Sequence, residues 1–336
     1  MFVSIGLRFK VEVEALNMAE SVGNYARHRT APVVVVEYED GKVRSYRITM
    51  APAVSGQSIA YGYMAALVKL ALERGLPLSN QAKEYEKIGG FFKRADDANL
   101  SYDDRVKTCV VEDITGFMVA QGVSGQTRQR KADKTPQSHT LEVAQGESDQ
   151  KGVMLRRTSP VMFSYLVPDG TSARGVVMPQ LHVRYNLLNP EQQIPFQVEA
   201  GTAIYTHGVA IDVERIGRLQ AGYVQDRKAR VELAFDALKF LYGGLLFGAK
   251  KARYLPIFEP LGGVAAVSEK PFVVTPPRFR DYVQENVKRA ERHISKVSIY
   301  CFDNEGITTC GASSTKAQNL EELIDKVKEE VLEKLK

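Results

Sequence analysis

The chain has 336 residues and a formal net charge of +5, with 45 Lys and Arg against 40 Asp and Glu. It is 44% hydrophobic and 25% charged, which is typical of a globular chain with a sizeable core. The small basic excess permits a polyanionic partner without requiring one. No apolar run approaches the ~18 residues that cross a membrane, and we expect a cytoplasmic protein without a membrane partner.

The cysteines and histidines point to no inorganic site. Cys109, Cys301 and Cys310 are odd in number and lack CxxC spacing, which argues against a disulfide framework and a zinc site and fits a reducing interior. The five histidines are scattered and none stands at metal-ligand spacing. Walker A, GxGxxG and GxSxG motifs are absent. We therefore predict no metal and no cofactor.

The first element is a strand over residues 2–15, in which apolar and polar side chains alternate. A polar loop, residues 16–32, follows it. Small residues let backbone N–H groups approach an anion, and arginine offers a planar fork to phosphate. A solvated loop with surface arginines is the alternative interpretation. The candidate contacts are Asn17, Ser21, Asn24, Arg27, His28 and Arg29.

Asp40-Gly41 lies between two apolar runs, 32–39 and 42–50, and predicts a β-hairpin. Helical spacing follows over residues 57–74. The preceding Ser55, Gly56 and Gln57 place free N–H groups at the helix start, where a phosphate could bind. An ordinary N-cap explains the same residues equally well.

The middle of the chain changes in composition. Residues 79–105 are charged and predict short helical pieces, and 106–111 predict a strand. Residues 121–152 are polar and basic, with few apolar side chains, and predict a flexible arm that orders on a partner. Its candidate contacts are Arg128, Arg130 and Lys131.

Two strands are expected at 176–185 and 196–213. On the first, His182 and Arg184 share a face that could contact a ligand, although a half-exposed strand also explains the pattern. A helix at 226–242 then leads into the glycine-containing basic loop of Lys250, Lys251 and Arg253, near Tyr254. Cations beside an aromatic ring are found at RNA-binding surfaces.

The remaining pattern predicts a buried strand at 262–267, a helix near 279–293, a strand at 297–302 and an amphipathic C-terminal helix at 315–336. This order is compatible with an α+β fold of one domain, residues 1–336, on a βαββαβ core of the RRM or ferredoxin-like type with insertions.

Several stretches together resemble the Cas7/DevR family, the backbone subunit of CRISPR Cascade, in its archaeal type I-A form. They are LNxxESxGNxxxHRTAPVV (16–34), VSGQxxAxxY (54–63), GFM (116–118), RRTSPV (156–161), the HxR of His182 and Arg184, and FGAKKARYLP (247–256). The resemblance covers nearly the whole chain. The 121–152 insertion is longer than the family pattern leads us to expect.

The resemblance implies an RRM-like palm with helical fingers, at 79–105, and a thumb loop, at 121–152. It implies a non-catalytic ribonucleoprotein subunit in antiviral defence, whose copies form a helical filament on a CRISPR guide RNA (crRNA) while target DNA pairs with the exposed bases. Implied partners are further copies, a backbone-interacting RAMP subunit, a small subunit and a helicase-nuclease. Beyond the residues already named, the resemblance adds Arg156 and Arg157 as RNA contacts, and it also implies that His182 contacts RNA.

Two other functions stay open at this stage. A metal-independent endoribonuclease could use His28, because Arg27 and Arg29 would lower its pKa and favour a neutral general base. A DNA-binding autoregulator is the third class. We expect RNA binding rather than catalysis.

Overall fold

A computed structural model describes residues 1–22, 25–40, 42–88, 91, 100–120, 154–170, 172–173, 177–184, 188–189, 191, 194–278 and 280–335. The strands are β1 Phe2–Glu14, β2 Met18–Val22, β3 Tyr25–His28, β4 Thr30–Glu39, β5 Lys42–Pro52, β6 Phe117–Ala120, β7 Met154–Arg157, β8 Val161–Phe163, β9 Val167–Pro168, β10 Val177–Arg184, β11 Ile194–Asp212, β12 Ile257–Ser268, β13 Val297–Asp303 and β14 Thr315–Lys316. The helices are α1 Gly56–Glu73, α2 Asn80–Lys83, α3 Tyr85–Ile88, α4 Tyr102–Thr108, α5 Val110–Thr115, α6 Arg227–Gly243, α7 Tyr282–Ala290 and α8 Leu320–Lys334.

The central sheet is mixed, and the fold is α+β as the sequence predicts. Its order is β14-β13-β12-β1-β11-β3-β2, with β8, β9 and β10 also paired to β11. β1 lies between β11 and β12 and is antiparallel to both. β3 runs parallel to β11, and β14 runs parallel to β13. Two separate hairpins, β4-β5 and β6-β7, extend the fold.

One face of β1 forms the main core. Val3, Ile5, Leu7, Phe9 and Val11 alternate along the strand and are buried in one cluster with residues of α1, α6 and α8. The alternation puts all five on the same side of the sheet. The Tyr63 hydroxyl of α1 donates to the Ala234 carbonyl of α6 at 2.9 Å, which ties the two helices together.

The other face of β1 is also covered, which explains its buried polar residues. Ser4 Oγ donates to the Phe272 carbonyl at 2.7 Å and accepts from the Val274 N–H at 3.0 Å. A Cβ on Gly6 would lie 2.9 Å from Pro276 Cα, so the close approach of this segment requires glycine. Residues 271–278 and α7 thus form a second layer.

Two sequence predictions are wrong in their secondary structure. Residues 106–111 lie in α4 and α5, where Ser101 Oγ accepts from the Asp104 N–H at 3.2 Å and caps α4. The C-terminal helix starts only at Leu320, because Asn319 caps it and Thr315–Lys316 form β14. The predicted hairpin and the helices at 57–74 and 226–242 are confirmed within two residues.

The cysteine prediction also needs correction. Cys301 and Cys310 are joined by a disulfide with a Cα–Cα distance of 5.9 Å, and Cys109 is free and buried. The loop between β13 and β14 returns to its own strand, which brings two cysteines without CxxC spacing together. No helix among the described residues is long and apolar enough to cross a membrane.

Candidate nucleic-acid interface

The predicted polar loop folds into the β2-β3 hairpin at the carboxyl end of β1. β3 is attached to the sheet by its parallel register with β11, where Tyr25 lies beside Gln197. The Arg29 N–H donates to the Asn17 carbonyl at 2.7 Å and closes the base of the hairpin. The segment is therefore a structured extension of the sheet, and Ser21 lies in β2.

Asn17 connects this hairpin to the start of α1. Its Oδ1 accepts from the Ser55 N–H at 2.8 Å and from Ser55 Oγ at 3.0 Å. Ser55 Oγ in turn accepts from the Ser58 N–H at 3.2 Å and caps the helix. Two groups of predicted contacts, separated in sequence, are thus adjacent, although part of their polar capacity is used internally.

The start of α1 is covered rather than open. A Cβ on Gly56 would lie 2.5 Å from the Phe163 carbonyl oxygen, so this glycine is required by packing. Gly56 is buried, which corrects its predicted role as a direct RNA contact, whereas Gln57 is exposed.

His28 is buried in an ionic network, which corrects its prediction as an RNA contact or general base. Its Nε2 lies 2.7 Å from Glu14 Oε2, and its Nδ1 lies 2.8 Å from the Arg29 carbonyl. Both side chains are fully buried. The Glu14 carboxylate also accepts from the Leu16 N–H at 2.7 Å and the Tyr205 hydroxyl at 2.5 Å.

The predicted direction of the His28 pKa was wrong. Burial alone would lower the pKa of His28, but the hydrogen bond and charge of Glu14 outweigh it, and the pKa is raised. Burial would raise the pKa of Glu14, but His28 and the other donors lower it. The two residues form a charged, structural pair.

Arg27 and Arg29 differ in exposure. The Arg27 guanidinium is exposed and lies 5.5 Å from the centre of the Tyr25 ring. Arg29 is half-buried, and its Nε has no hydrogen-bond partner among the described residues. A buried N–H group of a charged guanidinium that lacks a hydrogen-bond partner can stabilise an anion.

The second basic segment reaches the same end of β1. The Ala249 N–H donates to the Ala15 carbonyl at 3.1 Å. A Cβ on Gly248 would lie 2.9 Å from Leu16 Cδ2, and its φ of +106° favours glycine. The 16–29 and 248–253 segments, predicted separately, therefore meet at one place.

His182 joins this region through aromatic contacts. Its ring stacks on Phe196 at 5.3 Å, with 20° between the planes, and its Nε2 hydrogen-bonds to the Tyr254 hydroxyl. The Arg253 guanidinium lies 5.2 Å from the centre of the Phe196 ring and is exposed. The aromatic rings support exposed cations.

Lys250 and Lys251 have different environments. Lys250 is exposed. Lys251 is half-buried and its Nζ donates to the Leu245 carbonyl at 2.6 Å. Burial and the nearby Lys69 lower the pKa of Lys251. Lys250 is the better placed of the two to contact a ligand.

Arg157 is a buried structural residue, and its predicted RNA contact is corrected. Its guanidinium pairs with the Asp113 carboxylate and donates to the Asp113 carbonyl at 2.9 Å. Arg230 Nη1 reaches the same carboxylate at 3.1 Å. The partner acid lies far away in sequence, so no local pattern reveals it. Arg156, on β7, is exposed.

Four predicted contacts and the predicted thumb lie outside the described residues. They are Asn24, Arg128, Arg130, Lys131 and the 121–152 segment. Among the residues that are described, no three His, Cys, Asp or Glu side chains are grouped to hold a metal ion.

Sequence reasoning missed several residues that build this region. They are Glu14, Tyr25, Lys69 and Phe196. Phe196 could have been found by pairing the two predicted strands at 176–185 and 196–213. In the structure their antiparallel register places His182 opposite Phe196, and facing residues of antiparallel strands touch.

These features define an α+β protein with a cationic, aromatic-supported surface at the end of its central strand. A family profile described as "CRISPR-associated negative auto-regulator DevR/Csa2" matches residues 5–287. The chain belongs to this DevR/Csa2 family, as the sequence motifs predicted.

Named relatives agree with this membership. The chain is 33% identical over 297 residues to "CRISPR-associated protein Cas7/Csa2 1" of Saccharolobus solfataricus, covering 82% of each chain. It is 28% identical to that organism's "CRISPR-associated aCascade subunit Cas7/Csa2 2", covering 98% of this chain and 100% of the relative. A Methanocaldococcus jannaschii relative, "CRISPR-associated protein Cas7/Cst2/DevR", is 23% identical with the same coverage.

A solved structure titled "CRISPR RNA-guided surveillance complex" contains a chain of similar fold. Its TM-score is 0.52 with 14% sequence identity, over 98% of this chain and 100% of that one. At this identity the similarity concerns the fold alone.

Proposed function

We propose that this protein is a non-catalytic backbone subunit of a type I-A Cascade complex that binds crRNA. The observation that carries the proposal is the meeting of the 16–29 and 248–253 segments at the end of β1. The exposed cations Arg27, Lys250 and Arg253 form no ion pair within the part of the chain that the structure describes, although Glu20 faces Arg27 in the β2-β3 register. Phosphate contacts of this kind position a strand without reading its sequence.

The surrounding rings favour recognition of the RNA backbone. Tyr254 is buried and Phe196 is half-buried beneath Arg253, so they support the cation more than they offer a stacking face to a base. The orphan Nε of Arg29 gives a further donor for a phosphate oxygen. Bases held this way stay free to pair with target DNA.

The topology supports an RRM-like core. β12, β1, β11 and β8 are neighbours in that order, each antiparallel to the next. α1 follows β1 and α6 follows β11, and both pack into the same core. A βαββαβ path with the first strand in the middle is the ferredoxin-like arrangement.

Exposed apolar surfaces support assembly into a filament with further copies and other Cascade subunits. The β4-β5 hairpin exposes one side, with Tyr46, Ile48 and Met50 at 70%, 72% and 60%. On β10, Leu181 and Val183 are 66% and 55% exposed, while His182 packs inward. Monomeric proteins rarely expose contiguous apolar surface of this kind.

The endoribonuclease alternative loses its main support. A general base must reach the proton that it abstracts, and His28 is enclosed by Glu14 and backbone groups. In the proposal, cleavage belongs to a separate helicase-nuclease subunit.

RNA affinity of the purified full chain tests the proposal. Arg27→Ala and Arg253→Ala should each weaken binding of unrelated single-stranded RNAs alike and lower the salt slope by about 0.7. Lys228→Ala, an exposed lysine on α6, is the charge-matched control. A loss for one RNA sequence only, or a preference for duplex DNA, would contradict the proposal, and the latter would favour the autoregulator.

A further inference from the structure

A second cationic surface lies at the other end of β1, on the layer formed by α7. Residues 270–296 contain seven Lys and Arg against three acids. A groove there is lined by Phe272, Val273, Lys288, Arg289, Arg292 and His293, together with Glu285. Phe2, at the start of β1, pairs with Ser268 beside it, whereas Glu14 marks the other surface. The 13 residues of β1 separate the two surfaces by ~40 Å.

The cations of this groove are not neutralised by carboxylates. Within the described residues, Lys288, Arg289 and Arg292 form no ion pair, although Glu285 lies nearby in the same helix. α8 provides a contrast, because its Lys326, Lys328 and Lys334 are paired with acids. The groove therefore presents cations that no described carboxylate neutralises, as the β1 end does with Arg27, Lys250 and Arg253.

Arg289 is held in place by neutral groups only. Its Nη1 donates to Thr275 Oγ1 at 2.7 Å and to Asn286 Oδ1 at 3.1 Å, and its Nη2 donates to the Val273 carbonyl at 2.9 Å. The guanidinium also lies 5.0 Å from the centre of the Phe272 ring. These contacts fix its position and leave its charge available to an anion.

His293 closes the groove with both ring nitrogens engaged. Its Nε2 lies 3.2 Å from the Pro271 carbonyl, and its Nδ1 accepts from the Ser295 N–H at 3.3 Å. The imidazole therefore lines one side of the groove. Lys288 and Arg292 are the groove cations for which the described residues provide neither an ion pair nor a side-chain hydrogen bond. Lys288 lies in the last turn of α7 and Arg292 lies two residues beyond its end, and both line the groove.

From this geometry we infer that the α7 groove is a second nucleic-acid surface, which binds the phosphate backbone of a single strand. Two neighbouring cations on one side of an open groove can contact successive phosphates, and a fixed guanidinium adds a third contact. The inference goes beyond the crRNA site, since it uses other residues at the opposite end of β1.

The structural alternative is compensation of the helix dipole. Lys288 and Arg289 lie in the last turn of α7 and Arg292 lies two residues beyond it, where cations stabilise the helix end. Compensation predicts that removing them changes thermal stability and leaves nucleic-acid binding unchanged, so the two explanations are separable.

The test measures binding of fluorescein-labelled oligodeoxythymidine to the full chain over a range of salt concentrations. Lys288→Ala/Arg292→Ala should weaken binding by roughly 3- to 10-fold and lower the slope of log affinity against log salt by about 1.4. Its melting temperature and the RNA that copurifies with it should match wild type. Lys326→Ala/Lys334→Ala on α8 removes the same charge and should leave the slope unchanged.

Three results would overturn the inference. An unchanged slope with a lower melting temperature assigns the cations to the helix dipole. An equal loss in the α8 control means that net charge alone drives binding. Displacement of the oligonucleotide by polyglutamate at equal charge concentration assigns the groove to an acidic protein. Loss of copurifying RNA only in Arg27→Ala/Arg253→Ala reports on the crRNA site separately.

Discussion

Arginines occupy two contrasting regions of this protein. At the end of β1, Arg27 and Arg253 are exposed and lie against aromatic rings. In the RRTS segment, Arg157 is buried against Asp113 and shares it with Arg230. Both regions carry basic motifs in the sequence, but the charge of Arg157 is neutralised, whereas Arg27 and Arg253 form no ion pair among the described residues. An arginine is available for binding when its side chain is exposed and the fold does not enclose it with a buried carboxylate.

Arg157→Ala should produce the largest loss of stability. Removing one partner of a buried ionic network leaves Asp113 and Arg230 incompletely paired, and we expect a loss of about 3–5 kcal/mol in the free energy of unfolding. Urea denaturation measures this loss. The neighbouring Arg156→Ala is the matched control, and a loss of similar size there would remove the distinction between the two arginines.

His28→Ala tests whether a buried ionic pair beside the exposed arginines of the β1 end stabilises the fold as the Arg157–Asp113 pair does. We expect a loss of about 2–3 kcal/mol in the free energy of unfolding, because Glu14 loses its charged partner.

The loss in His28→Ala should depend on pH. The raised pKa of His28 gives stability that is full below its ordinary value of 6.5 and is lost as pH rises through the folded-state pKa. The lowered pKa of Glu14 gives stability that is present above 4.5 and is lost as pH falls. The melting-temperature difference should therefore be greatest between pH 4.5 and 6.5. A difference that does not vary with pH would contradict a charged pair.

Gly56→Ala should destabilise the protein by about 2 kcal/mol, because the new methyl group meets the Phe163 backbone. Gln57→Ala, one residue further along α1, should change the free energy of unfolding by less than about 0.5 kcal/mol. Equal, small effects would mean that the helix start is open, as the sequence alone suggested.

Arg27→Ala and Arg253→Ala should have the smallest effects on stability, below about 0.5 kcal/mol each, because both side chains are exposed. Their effect should fall on RNA affinity instead. Thermal melting and RNA titration of the same preparations separate the two properties.

Local patterns predicted much of this fold. Alternation identified β1, Asp40-Gly41 identified the β4-β5 hairpin, and helical spacing identified α1 and α6. The failures needed long-range information. Residues 106–111 have strand-like composition, but the Ser101 cap and the buried Arg105–Glu112 pair favour helix.

The site was predictable in its segments and not in its individual contacts. Composition indicated the 16–29 and 248–253 segments, and the fold brings them together through Ala15 and Ala249. Burial of His28 and Arg157 depended on Glu14 and Asp113, their acidic partners, which lie 14 and 44 residues away. Burial of a charge is decided by tertiary pairing, which a single sequence does not display.

The most direct test is to express the protein with a CRISPR array and to size and sequence the RNA that copurifies with it. We expect spacer-repeat RNA of defined length in a high-mass particle, and we expect this RNA to be lost in Arg27→Ala/Arg253→Ala while the protein stays folded. An RNA-free monomer at low salt, or full RNA retention in that variant, would contradict the assignment of the β1 end as the guide-RNA surface.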